Sequence, residues 1–157
     1  MSTNRPPYMD NCVFKGSDTD TILDLYCNEI ISYNISDHND NELVLEALRS
    51  ATKKVDVKGT ILHSDQGHQF TSIDYTEYLQ SLKMKKSMSR KANCWDNAPM
   101  ESFFGRLKEE SIRIQKPRTI KEVYQLIDWY MDFYNHKRKQ KGLRSLAPIQ
   151  FKQKISA

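Results

Sequence analysis

The residues best suited to chemistry in this chain of 157 are carboxylates in two segments, HSDQGHQF (63–70) and DNAPMESFFGRLKEE (96–110). In the first, Asp65 directly follows the short apolar run TILH (60–63), which reads as a strand. Carboxylates at the C-terminal end of a strand often line the crevice in which α/β sheets bind ligands. In the second, Glu101 falls in the first turn of a helix opened by Asn97-Ala98-Pro99. Asn is a good N-cap, and Pro fits the first turn because its missing N–H had no intrahelical partner there. The helix dipole alone would also favour a carboxylate at that position. Lys108 lies seven residues after Glu101. Seven residues are two turns with only about 20° of drift, so both are expected on one face. Gly105 lies between them, where a missing side chain would let a bulky substrate approach the backbone. Simple tolerance of a glycine in the helix, at about 1 kcal/mol relative to Ala, is the alternative. Glu109 and Glu110 read as solvated surface charges.

Such a set suits phosphodiester cleavage by two metal ions. Carboxylates would bridge and orient ions roughly 3.5–4 Å apart that stabilise the attacking and leaving oxygens. Hard oxygen ligands select Mg²⁺ or Mn²⁺. A nearby lysine can neutralise a substrate phosphate. No Ser-His-Asp or Cys-His arrangement competes. The four histidines (38, 63, 68 and 136) lack metal-helix spacing and read as structural or surface residues.

The elements that must position these groups alternate in type. TILDLY (21–26) and EIISYNIS (29–36), broken by Cys27-Asn28, read as a β-hairpin. Asn39 to Glu42 looks like a helix start, followed by Val44, Ala47, Leu48 and Ala51 at helical spacing. After the TILH strand, a helix is predicted from about Ser72 to Leu82 and a strand over KKSMS (85–89). Met100, Phe103, Phe104 and Leu107 form the apolar stripe of the Glu101 helix. Another helix is predicted over about Ile120 to Asn135, with Val123, Ile127, Tyr130, Met131 and Tyr134 inward. Gly142 breaks the pattern, and Pro148 opens a last short helix. This is an α/β layout, a mixed sheet with helices packed on its faces.

Composition agrees with one domain of ordinary size, 38% apolar and 28% charged. No apolar run approaches the ~20 residues of a membrane span, and the N-terminus lacks a secretory pattern. The expected compartment is the cytoplasm. Cys12, Cys27 and Cys94 suggest neither a zinc site nor a disulfide framework. Charge is divided along the chain. Residues 1–82 hold 6 Lys/Arg against 13 Asp/Glu, a balance of −7; residues 83–157 hold 18 against 7, a balance of +11. A polyanion partner for the C-terminal half would explain this, as would solvated helix faces.

HSDQGHQFTS, SMSRKANCWDNAPMESFFGRLKEE and YNHKRKQKGLRSLAPIQF together resemble the transposases of the IS-three family of bacterial insertion sequences. The resemblance covers about residues 21–152. It includes the 35 residues between Asp65 and Glu101 and the basic residue, Lys108, seven beyond the Glu. It implies a ribonuclease-H-like fold, a five-stranded mixed sheet flanked by helices, with an Asp-Asp-Glu triad holding two Mg²⁺ or Mn²⁺ ions. Asp65 matches the second carboxylate and Glu101 the third. Asn93, Asp96 and Asn97 match the polar loop before the Glu helix, and Arg138 and Gln140 fall on the late YNxxRxQ-like pattern. Ala92 departs from the usual Gly. The implied function is metal-dependent DNA strand cleavage and strand transfer. DNA, as element ends and target, and further copies of the chain are the implied partners. Arg90, Lys91, Asn93, Lys108, Lys137, Arg138 and Lys139 would contact the DNA, largely through phosphates that bring affinity rather than sequence reading.

The first carboxylate departs most from the family pattern. PYMDNC offers Asp10, which keeps none of the expected neighbours; Asp18, Asp20 and Asp24 are outside candidates. Residues 1–20 are therefore expected to be an irregular or truncated segment with a degenerate first strand, ahead of a core over 21–157. If Asp10 lies on a proper strand, the triad is complete. If not, a remnant that binds DNA without cutting it is expected, and the neighbours of Asp10 favour that outcome. A general metal-dependent nuclease of the same fold is the third reading.

Overall fold

A computed structural model describes residues 8–13, 18–36, 41–90 and 98–156. Its strands are β1 (Tyr8–Val13), β2 (Asp18–Asp24), β3 (Glu29–Ser36), β4 (Ile61–Ser64) and β5 (Lys85–Met88). They form one sheet in the order β3-β2-β1-β4-β5. The β1–β2 and β2–β3 pairs are antiparallel, while β1–β4 and β4–β5 are parallel. The sheet is therefore mixed, with β1 at its centre. The β2–β3 hairpin turns through Asn28 at φ 55°, a left-handed position that Asn tolerates better than most residues.

The strand at Tyr8–Val13 corrects the irregular N-terminal segment expected over 1–20, as does β2, which opens at Asp18. YMDNCV is short and only weakly patterned. Its strand state comes from hydrogen-bonding neighbours on both sides, β2 and β4, and not from local propensity.

Helices cover both faces of the sheet. On one side lie α1 (Asn41–Lys54), α2 (His68–Thr71) and α3 (Ile73–Ser81). Ile22 of β2, Ile31 of β3 and Leu62 of β4 pack there against Val44, Leu48, Phe70, Tyr75 and Leu79. On the other side lie α4 (Ala98–Leu107) and α6 (Ile120–His136). Leu23 and Ile30 pack there against Met100, Phe103, Phe104, Leu107, Ile127, Tyr130, Met131 and Tyr134. Ile22 and Leu23 are adjacent yet both almost wholly buried, because successive strand residues face opposite layers. Each such side chain contributes roughly 1.5–3 kcal/mol by burial.

Local signals set the helix ends. Ser72 caps α3, its Oγ accepting the Tyr75 N–H at 3.3 Å. Thr119 caps α6, its Oγ1 accepting the Glu122 N–H at 3.2 Å. The cap expected at Asn39 and the one at Asn97 lie outside the described residues. Beyond α4 the chain makes a π-helical turn (Lys108–Ile112) and a short α5 (Arg113–Gln115). After α6 come a 3₁₀ turn (Lys141–Leu143) and α7 (Pro148–Ser156). Among the described residues no helix is long and apolar enough to cross a membrane.

Candidate functional site

β4 ends at Ser64, so Asp65 emerges where the sheet meets solvent and is half-buried. A turn fixes its carboxylate: Oδ1 accepts the Gly67 N–H at 2.7 Å. Gly67 has φ −55°, open to any residue, so what a side chain there would disturb is its polar surroundings. A Cβ would lie 2.9 Å from Asp65 Oδ1 and 2.9 Å from Oε1 of the buried Gln69. Behind the turn, Gln66 Nε2 donates to the Ser89 carbonyl at 3.0 Å. His63 is held between two serines, Nδ1 3.0 Å from Ser87 Oγ and Nε2 3.1 Å from Ser89 Oγ. Both ring nitrogens are engaged, which fits a structural role and not metal ligation. Together these contacts tie the Asp65 turn to the exit of β5, where Arg90 is exposed.

Asp10 lies on the neighbouring strand. β1 runs parallel to β4, with Asp10 in register with His63, two residues before Asp65. The two aspartates are thus one strand spacing, ~4.8 Å, and about two residue rises, ~6.6 Å, apart along the backbone. On its other side Asp10 is in register with Leu23, which faces the α4 layer. α4 packs against β1, and Glu101 stands exposed in the first turn of α4. The topology therefore gathers a central strand, the exit of its parallel neighbour and the helix resting on it. Each carries one carboxylate of the expected set.

The donors are hard oxygens, as Mg²⁺ or Mn²⁺ requires, and Asp65 and Glu101 are accessible rather than sealed in the core. Among the described side chains no three of His, Cys, Asp and Glu lie close enough to hold an ion. The Asp10 side chain is outside that set.

The basic residues divide. Lys108, Lys137 and Lys139 are exposed, as are Lys141 and Arg144. Arg138 is not: its guanidinium makes a two-pronged pair with Glu110, with Nε 2.6 Å from Oε2 and Nη2 bonded to Oε1. Glu110 is therefore not the solvated charge expected, and Arg138, expected to contact DNA, has its guanidinium engaged by Glu110. A pairing between residues 28 apart leaves no local sequence signal. Lys91, Asn93 and Asp96 lie outside the described residues.

Residues 8–94 match a family described as an integrase core domain, and residues 82–148 match a second family of the same description. The chain belongs to the integrase core domain family. This integrase core is 38% identical over 132 residues to the "Putative transposase InsK for insertion sequence element IS150" of Escherichia coli K12, covering 83% of this chain and 47% of that one. It is 31% identical over 135 residues to "Transposase InsF for insertion sequence IS3A" of the same organism, covering 85% and 47%. The chain thus spans about half the length of these curated relatives. Among solved structures it is similar to the HTLV-2 integrase catalytic core domain in complex with magnesium, with TM-score 0.72 and 14% identity over 96% of this chain and 99% of that one. The fold is that of the retroviral integrase catalytic cores.

The two glycines of the site make different predictions. No atom lies within 4 Å of a Cβ built on Gly105, which is exposed within α4. Gly105→Ala should stabilise the fold by roughly 0.5–1 kcal/mol through helix propensity. Gly67→Ala should bring no such gain, because its methyl must displace the Asp65 carboxylate and the Gln69 amide. Chemical denaturation of both variants checks the pair, and equal midpoints would contradict the crowding at Gly67.

Proposed function

We propose that this chain is the catalytic core of a DNA transposase that cleaves and joins DNA strands with divalent metal ions. The observation that carries this reading is β1. It sits at the centre of the sheet, puts Asp10 one strand from Asp65, and supports the helix that bears Glu101. With β1 formed, Asp10 stands on the strand beside the one that leads to Asp65, which supports a triad completed by Glu101.

Asp10, Asp65 and Glu101 would hold two Mg²⁺ or Mn²⁺ ions, which when bound supply charge stabilisation for in-line attack on a phosphodiester. Gly67 N–H orients the Asp65 carboxylate through Oδ1. Lys108, Lys137 and Lys139, with Arg90, Lys91 and Asn93 preceding α4 in the sequence, would seat the DNA backbone. The open surface at Gly105 leaves room for a strand between Glu101 and Lys108. DNA ends of the parent element and a target duplex are the substrates this reading requires, with the cytoplasm as the place of action. The HTLV-2 integrase core has structures titled as dimeric and trimeric forms, which supports assembly of this chain with copies of itself.

The test is nicking of a labelled duplex carrying the DNA that flanks the coding sequence, with Mn²⁺ as cofactor. Metal-dependent nicks are expected, and a chain that binds the duplex without nicking it would sink the proposal. Gly67→Ala should reduce the nicking rate by roughly 10–100-fold, the usual cost of disturbing a group that orients a metal ligand. Gly105→Ala should nick more slowly despite its added stability; a wild-type rate would remove the DNA strand from that face.

A further inference from the structure

Two stretches of the sequence contain charged residues that the metal site does not use: Leu107 to Glu110 after the Glu101 helix, and Tyr134 to Gln140 at the end of α6. The structure joins them. Glu110 takes both prongs of the Arg138 guanidinium and also accepts the Tyr130 hydroxyl at 2.9 Å. Arg138 and Tyr130 hold its carboxyl below the usual range. The Arg138 side chain is only 20% exposed, and its guanidinium lies 6.0 Å from the centre of the Tyr134 ring. Tyr134, fully buried, meets Phe103 edge-on at 4.8 Å. Phe103 is two residues from Glu101 on α4.

The pair forms where the helix changes its winding. Glu110 lies within the π-helical turn Lys108–Ile112, a form that occurs mostly as single turns and often at functional sites. An uninterrupted α-helix would carry the stripe Met100, Phe104, Leu107 and Ser111 on to Ile114. Ile114 is instead 66% exposed.

The segment beyond α6 alternates. Lys137, Lys139 and Lys141 are exposed, while Arg138 and Gln140 turn inward. Gln140 accepts from Asn28 Nδ2 at 3.1 Å through its side chain, and its backbone N–H donates to the Leu146 carbonyl at 3.0 Å. Inward residues anchor the segment, and the lysines point outward, where an anion can meet them.

We infer that Glu110 and Arg138 are positioning residues whose pair locks the basic segment 137–141 onto the helix that carries Glu101. The lysines that seat phosphate and the carboxylate that holds metal then keep one fixed spacing. The roles given to Glu101 and the lysines rest on the proposed function; the lock itself rests on the Glu110–Arg138 geometry. A coupled pair predicts non-additive substitutions.

The experiment measures the separation of nitroxide labels at Ser102→Cys and Lys141→Cys, in a chain whose native cysteines are replaced, by pulsed electron resonance. Glu110→Gln, Arg138→Gln and the double variant are compared with the parent. One narrow distribution is expected in the parent, broader ones in each single variant, and no further broadening in the double. Narrow distributions in both singles would overturn the lock. If the neutral variants do not fold, Arg138→Lys is read in their place, since lysine keeps the charge without the fork. Broadening there supports the lock, and a parental distribution overturns it. The salt dependence of DNA binding is a second arm. Arg138→Gln should leave the log–log slope unchanged, whereas a drop of roughly 0.9 would make Arg138 a phosphate ligand and not a positioning residue. A parent chain that fails to nick DNA would sink the transposase reading alone, because the label distances still decide the lock.

Discussion

Asp10→Asn, Asp65→Asn and Glu101→Gln, made singly, should each lower Mn²⁺-dependent nicking by on the order of a thousandfold, beyond the roughly 10–100-fold that groups behind a metal ligand cost. Each substitution keeps the side chain's size and removes its charge. Two ions between three carboxylates depend on that charge, because a neutral amide is a far weaker ligand for a hard cation. DNA affinity in metal-free buffer should stay within about twofold of the parent, since these residues add no positive charge to the phosphate path. The informative control is Asp24→Asn. Asp24 is buried at the end of β2, where its Oδ1 accepts the Tyr26 N–H at 2.9 Å, a bond that an Asn oxygen can also accept. Nicking should survive there. Activity retained in Asp10→Asn and abolished in Asp24→Asn would move the first carboxylate from β1 to β2 and break the proposed site.

Several elements are legible in the sequence because the physics that makes them is local. Met100, Phe103, Phe104 and Leu107 recur at helical spacing, and the helix they define buries all four. Ile127, Tyr130, Met131 and Tyr134 do the same in α6. TILDLY and EIISYNIS are rich in strand formers, and they pair as an antiparallel hairpin. β1 is illegible for the opposite reason. YMDNCV carries little propensity of its own, and its place is decided by β2 and β4 on either side. The site divides in the same way. Residue type and position relative to strand and helix ends single out Asp65 and Glu101. The glycine that orients Asp65 sits two residues away in HSDQG, where its purpose shows only when a Cβ is placed on it. Glu110 and Arg138 escape a sequence reading because charge on a helix or loop defaults to solvent, and their pairing joins a π-helical turn to a segment 28 residues further on.

The same correction sharpens what the basic segment should do. Substituting Lys137, Lys139 and Lys141 together by Gln should flatten the salt dependence of duplex binding by roughly 2.7 in log–log slope, at about 0.9 for each phosphate no longer neutralised. All three are exposed, on alternate residues of a segment whose other members point inward. The three lie within five residues of one another and are expected to meet the phosphates of one duplex. Arg138 is left intact because its guanidinium is already committed to Glu110, and removing it would disturb the segment rather than free a phosphate. Affinity should fall most at low salt, where counterion release contributes most, and by a similar factor for unrelated sequences, because phosphates carry no sequence information. The fold should be little changed: Lys137 is the C-cap of α6, but its capping bond is a backbone N–H donated to the Phe133 carbonyl, which Gln keeps, and exposed substitutions otherwise change stability by about 0.5 kcal/mol or less. Filter-binding or fluorescence titrations from about 50 to 200 mM salt, the range over which phosphate-driven binding changes most visibly, give the slope directly. A triple variant that melts with the parent and keeps the parental slope would show that the lysines are merely solvated, and the DNA path would then have to run past Arg90 and Lys108 instead.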